Sequence, residues 1–239
     1  MTPPDGPSDE RPKAVVSWSS GKDSAFSLYE VRRAGELDVV GLLTTVTQTY
    51  GRVSMHGVRE SLLDAQAGAA GLPLYKVEIP APCPNSVYER AMAEVMGRLR
   101  ADGVSRVVFG DLFLEDIRAY REEKLRGTGV EPVFPLWGRP TDRLAREMID
   151  AGLEARIVAL DPRLLPARFA GRSFDRALLE ELPESVDPCG ERGEFHTCVT
   201  AGPMFSSALR VVPGEIVARD GFVFADLMLE ELTPTTPGR

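Results

Sequence analysis

From Ala14 to Trp137 the chain alternates short, β-branched apolar runs with amphipathic stretches, and no other feature restricts its fold as much. "AVVSW", "VVGLLTTV" (Val39–Val46), "LYKVEIP", "RVVFGD" (Arg106–Asp111) and "PVFPLW" read as five strands. Asp23–Ala34, Val58–Ala70, Val87–Arg100 and Leu114–Leu125 between them carry helical spacing, and Gly35 and Gly71 stand where the first two helices should stop. Such alternation predicts an α/β fold with a parallel five-stranded sheet covered by helices on both faces. Sheets of this kind hold ligands beyond the carboxyl ends of their strands, near a switch in strand order.

The pattern changes after Trp137, so a boundary is expected near Gly138. Thr141–Ala151 reads as a helix capped by Thr141, "ARIVALD" as a strand and "SFDRALLEEL" as a helix. The polar, glycine-rich "DPCGERGEFHT" reads as a loop, and the last apolar stretch as antiparallel strands with turns at Pro213-Gly214 and Asp220-Gly221. The expected organisation is a tail over 1–12, an α/β domain over 13–137, a smaller α+β domain over 138–232, and a tail over 233–239.

Composition removes several classes of function. The 239 residues are 43% hydrophobic and 27% charged, enough apolar material for a sizeable core. A net charge of −8 argues against a broad grip on nucleic acid. Cys83, Cys189 and Cys198 make neither a disulfide framework nor a CxxC pair, which disfavours a zinc ribbon or a sulfur-relay site. The Pro-rich, acidic start has no apolar signal region, and no run of about 18 apolar residues occurs. The expectation is a soluble cytoplasmic protein with no membrane contact, open to homodimer formation.

The junction "VVSWSSGKDSAF" places the smallest and most polar residues between a buried strand and a helix. Serines and a glycine let the backbone turn tightly and leave N–H groups free, and the helix adds its positive end; together they make an anion nest suited to phosphate. Lys22 adds a mobile positive charge. Asp23 is out of place beside phosphate unless it holds Mg²⁺ or orients the loop. Ser and Asp are also good helix caps, but the whole hexapeptide in this setting favours phosphate. A Walker A loop needs GxxxxGK followed by Ser or Thr, and here Gly21-Lys22 is followed by Asp23 with Val16 at the upstream glycine position. The stretch resembles instead the SGGxDS signature of PP-loop ATP pyrophosphatases, with Ser19, Ser20, Gly21, Lys22, Asp23 and Ser24 in its six places. Ser20 stands where glycine is usual, which fits if the backbone needs no positive φ there.

That resemblance implies cleavage of ATP between the α and β phosphates and transfer of AMP to an oxygen of the acceptor. A carboxylate cannot expel oxide, whereas an acyl-adenylate expels AMP readily; the loop need only neutralise charge on the leaving pyrophosphate. "RVSMHG", "FGDLFLEDIRAYRE", "PVFPLW" and "DPCGERGEFHT" followed by "GPMF" extend the likeness, and the ordered set resembles the diphthine–ammonia ligase family from Lys13 to about Leu232. Similarity to that family implies that residues 13–137 are a HUP-type nucleotide-binding domain and that the smaller domain over 138–232 helps form the substrate site, with ATP and Mg²⁺, ammonia as nitrogen donor, and a carboxylate acceptor. In the family's eukaryotic and archaeal members the product is an amidated histidine derivative on translation elongation factor 2. This chain has "SMHG" and "GEFHT" where those members carry other residues, "GEYET" in the second case, so the reaction type carries over further than the substrate.

The expected nucleotide contacts are Ser17, Ser19, Ser20, Gly21, Lys22, Asp23, Ser24, Thr44, Thr45, His56 and Gly110, with Asp23 the Mg²⁺ ligand. The expected catalytic set is Lys22, Asp23, Asp111, Glu191, Glu194 and His196. Asp111 closes the fourth strand at the ligand edge, where it would bond ribose, amine or substrate, or else cap the next helix. Glu115, Arg118 and Arg121 share a helical face that is either turned to the site or solvated. His56 makes either a local hydrogen bond or a ligand contact. Two glutamates near phosphate suit Mg²⁺, ammonium or an amine, and His196 suits a base. Cys189 with His196 lacks a third soft ligand for zinc. Lys76 and Arg168 read as surface charges. The rival readings are a nucleotide-binding module without ligation, a tRNA-modifying PP-loop enzyme and a glutamine-dependent synthetase; the first lacks a reason for the polar late loop, and the chain holds no segment of glutaminase size.

Overall fold

A computed structural model describes residues 11–47, 52–53 and 57–230. Strands β1 (Lys13–Ser17), β2 (Asp38–Thr47), β4 (Leu74–Ile79), β5 (Val104–Val108) and β6 (Glu131–Val133) form a parallel sheet in the order β4-β2-β1-β5-β6. The short β3 (Arg52–Val53) pairs antiparallel with the tip of β2. Alternation along β1 sends Ala14 and Val16 to one face and Val15 to the other. The first face is covered by α1 (Lys22–Ala34) and α2 (Glu60–Ala70), through Phe26, Leu28, Leu62 and Leu63. The second is covered by Val95 and Leu99 of α3 (Asn85–Ala101) and by Leu125 of α4 (Glu115–Leu125). The expected five-stranded sheet with helices on both faces is therefore observed. Gly35 and Gly71 close α1 and α2 at φ 70° and 66°, with their amides turned back onto the last turn.

The chain continues through α5 (Thr141–Asp150), β7 (Glu154–Leu160), a 3₁₀ turn (Ala167–Phe169), α6 (Arg176–Glu181), β8 (Phe195–Ala201), β9 (Val211–Arg219) and β10 (Phe222–Leu229). The strands form an antiparallel sheet, β8-β7-β10-β9, whose apolar face joins the same core as β1, α1 and α2. A polar contact also ties the two halves, because the Val199 amide donates to the Ser20 carbonyl at 2.9 Å.

Several local expectations are corrected. The strand in "PVFPLW" is Glu131–Val133 only, because the chain turns at Pro135, where the Trp137 amide reaches the Phe134 carbonyl. Thr141 is not a cap: Pro140 precedes the helix, and the Thr141 hydroxyl donates to Asp187 Oδ2 at 2.6 Å. Pro213-Gly214 is not a turn but lies inside β9, opposite an irregularity in β10, where Gly214 admits Asp226; a Cβ on that glycine would sit 3.0 Å from Asp226 Cβ. Asp220-Gly221 is a turn with both residues at positive φ, the two-residue hairpin geometry. The late polar stretch is only partly loop, since Phe195, His196 and Thr197 already belong to β8.

Candidate active site

The strand order reverses between β1 and β5, and both strands end at the same edge. Beyond β1 the chain turns through Ser19, Ser20 and Gly21 into α1. Ser20 adopts φ 70°, so the positive φ that its side chain was expected to avoid is in fact required. The Ser24 hydroxyl donates to the Gly21 carbonyl at 2.9 Å and lies 3.2 Å from Ser19 Oγ, which ties the loop to the first turn. Gly110, just past β5, is needed because the end of β5 runs against the first turn of α1: a Cβ there would lie 2.8 Å from the Asp23 carbonyl carbon and 2.9 Å from the Ser24 nitrogen.

Lys22 is buried and seated rather than mobile. Its ammonium donates to Asp23 Oδ1 and Oδ2 at 3.0 and 2.8 Å and to the Cys189 carbonyl, and it lies 5.6 Å from the Phe174 and Phe195 rings. Burial opposes its charge, but Asp23, Cys189 and Glu191 outweigh burial and hold its pKa above the ordinary value. The Lys22 amide donates to Thr197 Oγ1 at 3.1 Å.

The segment Pro188–Thr197 thus folds directly onto the first loop. Asp187 sets it: Oδ1 accepts from the Cys189 amide at 2.9 Å and the Glu191 amide at 3.3 Å, while Oδ2 takes the Thr141 hydroxyl. Gly190, at φ 70°, passes too close to the Phe195 carbonyl for any side chain. The two glutamates then diverge. Glu194 is buried with Oε1 on the Asp187 amide and Oε2 on the Arg192 amide, both at 2.9 Å, so it staples the loop. Glu191 reaches across to β5's end, where Oε1 accepts from the Leu112 amide at 2.8 Å. Burial, reinforced by the charges of Asp23 and Asp111, pushes Glu191 up to about 7 against the pull of the Leu112 bond and Lys22. His196 is pushed down to about 4 by burial and by Lys22, so its imidazole is neutral at physiological pH. Burial raises the thiols of Cys189 and Cys198, and neither is a ready nucleophile.

Asp111 lies at the ligand edge and receives Arg121 on both oxygens, at 2.6 and 3.2 Å. Arg121 covers Phe109 at 4.4 Å, whereas Arg118 covers Phe134 and Trp137 and Glu115 is exposed, so only Arg121 of that helical face turns to the site. Below the strand ends a cavity of about 730 Å³ is lined by Ser17, Ser19, Thr44 and Thr45 on one side and by Tyr88, Met92 and Met96 on the other. Its volume lies in the range of small-molecule sites. Thr44 Oγ1 is buried with no hydrogen-bond partner among the described residues. His56 lies outside the described residues. Sequence reasoning missed Asp187 and Gln66; Gln66 was legible only as one polar residue amid Leu62, Leu63, Ala67 and Ala70, and Asp187 only as an Asp opening a Pro- and Gly-rich turn.

A tight small-residue loop between the first parallel strand and its helix, with a cavity at the strand ends, defines an α/β protein of the kind that takes ligands at its carboxyl edge. Within that class the chain belongs to the diphthamide synthase family: the family's N-terminal domain matches residues 12–132 and its C-terminal domain residues 140–226. Its curated relatives include human diphthine–ammonia ligase, 25% identical over 92% of this chain and 93% of the relative. The Danio rerio diphthine–ammonia ligase is 27% identical over 89% of this chain and 91% of its own. The Schizosaccharomyces pombe diphthine–ammonia ligase is 24% identical over 86% of this chain but 37% of its own length. The family likeness read from the ordered motifs is thus borne out. Among the described residues no helix is long and apolar enough to cross a membrane.

Proposed function

We propose that this protein is an ATP-dependent ligase that adenylates a carboxylate and converts it to an amide with ammonia, releasing AMP and pyrophosphate. The family implies the use of ATP, and the relatives' names join ammonia to diphthine. In this reading ATP lies along the carboxyl edge, with its adenosine in the cavity beside Thr44 and Thr45 and its β and γ phosphates over Ser19–Ser24. A carboxylate oxygen of the acceptor attacks the α phosphorus and pyrophosphate leaves. Ammonia then attacks the acyl carbon, and AMP departs with the former carboxylate oxygen. Ammonium must first lose a proton, and Glu191 is the base.

The observation that carries the reading is Glu191. A carboxylate raised to about 7 and bonded to the strand edge beside Lys22 and Asp23 matches a general base working near neutral pH. His196 at about 4 is too weak a base for that task. Mg²⁺ suits the chemistry less directly. Both Asp23 oxygens are on Lys22, and the described residues hold no group of three carboxylate, His or Cys side chains that would bind a metal. A magnesium ion would arrive on the ATP phosphates and take one protein oxygen, from Asp23. The acceptor is a small or protein-bound acid; the acidic net charge of −8 disfavours a nucleic-acid acceptor. Phosphorus NMR of ATP incubated with the protein, ammonium and a cell-extract metabolite pool tests the proposal. AMP with pyrophosphate is expected, and ADP with orthophosphate would overturn it.

A further inference from the structure

Gln66 lies fully buried in the middle of α2, on the apolar face made by Leu62, Leu63, Ala67 and Ala70. Buried amides are kept where their hydrogen bonds are made. Gln66 Oε1 accepts from Trp18 Nε1 at 2.9 Å, and Nε2 donates to the Ser20 carbonyl at 3.1 Å and the Val199 carbonyl at 2.8 Å. The same Ser20 carbonyl accepts from the Val199 amide at 2.9 Å. Two donors therefore grip the carbonyl of the one loop residue whose backbone is left-handed, at φ 70°.

Within the loop the Gly21 amide donates to Ser19 Oγ at 3.4 Å and the Ser24 hydroxyl to the Gly21 carbonyl at 2.9 Å, but the backbone preference of Ser20 itself runs against that shape. A residue with a Cβ is disfavoured there by roughly tenfold. Its own hydroxyl offers no compensation, being fully buried without a hydrogen-bond partner among the described residues. From outside the loop, Ser20 is held by the grip on its carbonyl from α2 and β8. A left-handed residue within a tight turn aims successive N–H groups at one concavity, which is what an anion needs.

We propose that Gln66 is a positioning residue for ATP: its amide clamps the Ser20 carbonyl and so keeps the Ser19–Ser24 loop in the shape that receives pyrophosphate. This rests on the ATP reading above. Without the clamp the loop spends less time in the competent shape, and apparent affinity falls by the lost fraction. A glycine at position 20 adopts the left-handed shape unaided, so it removes the need for the clamp.

The test is a double-mutant cycle of Gln66→Met and Ser20→Gly, read by calorimetric binding of α,β-methylene-ATP, alongside the melting temperature. Gln66→Met should weaken binding about tenfold. Adding Ser20→Gly should bring affinity back to within about threefold of Ser20→Gly alone, while the melting temperature stays depressed because Trp18 Nε1 and the Val199 carbonyl remain without Gln66. A purely structural Gln66 would give no such selective rescue. Unchanged affinity in Gln66→Met, or a double variant as weak as Gln66→Met, would overturn the proposal. Should Gln66→Met not fold, Gln66→Asn keeps the amide but falls one methylene short of Ser20, and the same outcomes apply. A wild-type protein that binds no α,β-methylene-ATP refutes the ATP reading instead. The ¹³C shifts of residue 20 then decide the clamp separately: loss of the left-handed signature in Gln66→Met supports it, and retention overturns it.

Discussion

Replacing Glu191 with glutamine separates its two properties, a perturbed proton and a place at the strand edge. The change keeps an oxygen for the Leu112 amide, now at 2.8 Å from Oε1, and removes the charge. Burial raises Glu191 from its ordinary 4.5 to about 7. At about 1.4 kcal/mol per tenfold change, ionising it in the fold costs at most about 3.5 kcal/mol. The side chain is only partly buried, and solvent screening brings the working figure to about 1–2 kcal/mol. The sign follows from the protons bound. Between 4.5 and about 7 the folded state holds a proton that the unfolded chain has released, so this group's contribution is full below 4.5 and is lost as pH rises through about 7. Glu191→Gln has no proton to lose. Urea unfolding should therefore find the variant more stable than wild type by about 1–2 kcal/mol at about pH 8, with most of that difference gone at about pH 5. In the amidation assay the variant should lose about 100-fold in rate together with the rising limb near neutral pH, while adenylation changes only a few-fold. A stability difference independent of pH, with an amidation rate close to wild type, would refute both the perturbed proton and the catalytic role.

Other outcomes follow from the same geometry. Ser20→Gly should stabilise the protein by about 1 kcal/mol, or roughly 2–4 °C for a chain of this size by calorimetry, because it relieves a left-handed Cβ. Gly110→Ala forces a methyl against the Asp23 and Ser24 backbone; it should cost about 1–3 kcal/mol in denaturant unfolding and weaken binding of an ATP analogue. The His196 imidazole, followed by NMR, should stay neutral to about pH 5 and titrate near 4; a midpoint above about 6 would contradict its burial beside Lys22.

The parallel half of the fold was legible because each of its strands must satisfy two apolar faces, and that demand writes itself into runs such as "AVVSW" and "VVGLLTTV". The loop after β1 was legible because few sequences place Ser-Ser-Gly-Lys-Asp-Ser at a strand–helix junction. The rest depended on contacts between residues far apart in the chain. Thr141 resembles a cap until Asp187, 46 positions on, takes its hydroxyl. Glu191 and Glu194 look alike in "GERGEF", and only the folded loop decides that one staples amides while the other crosses to Leu112. Lys22 looked mobile because nothing local shows that the Cys189 carbonyl and two phenylalanine rings await it. Pro213-Gly214 carried a turn signal, yet the glycine serves a close approach to Asp226 within a strand.

The central claim is that ATP is cleaved by attack of an acceptor carboxylate rather than of water. Turnover in heavy-oxygen water, with ammonium and an unlabelled acceptor pool, tests this most directly, read by mass spectrometry of the AMP formed. If the carboxylate attacks, the oxygen gained by AMP comes from the acceptor, and AMP is unlabelled while an amide accumulates in equal amount. AMP carrying one heavy oxygen, with no amide formed, would show hydrolysis and contradict the account.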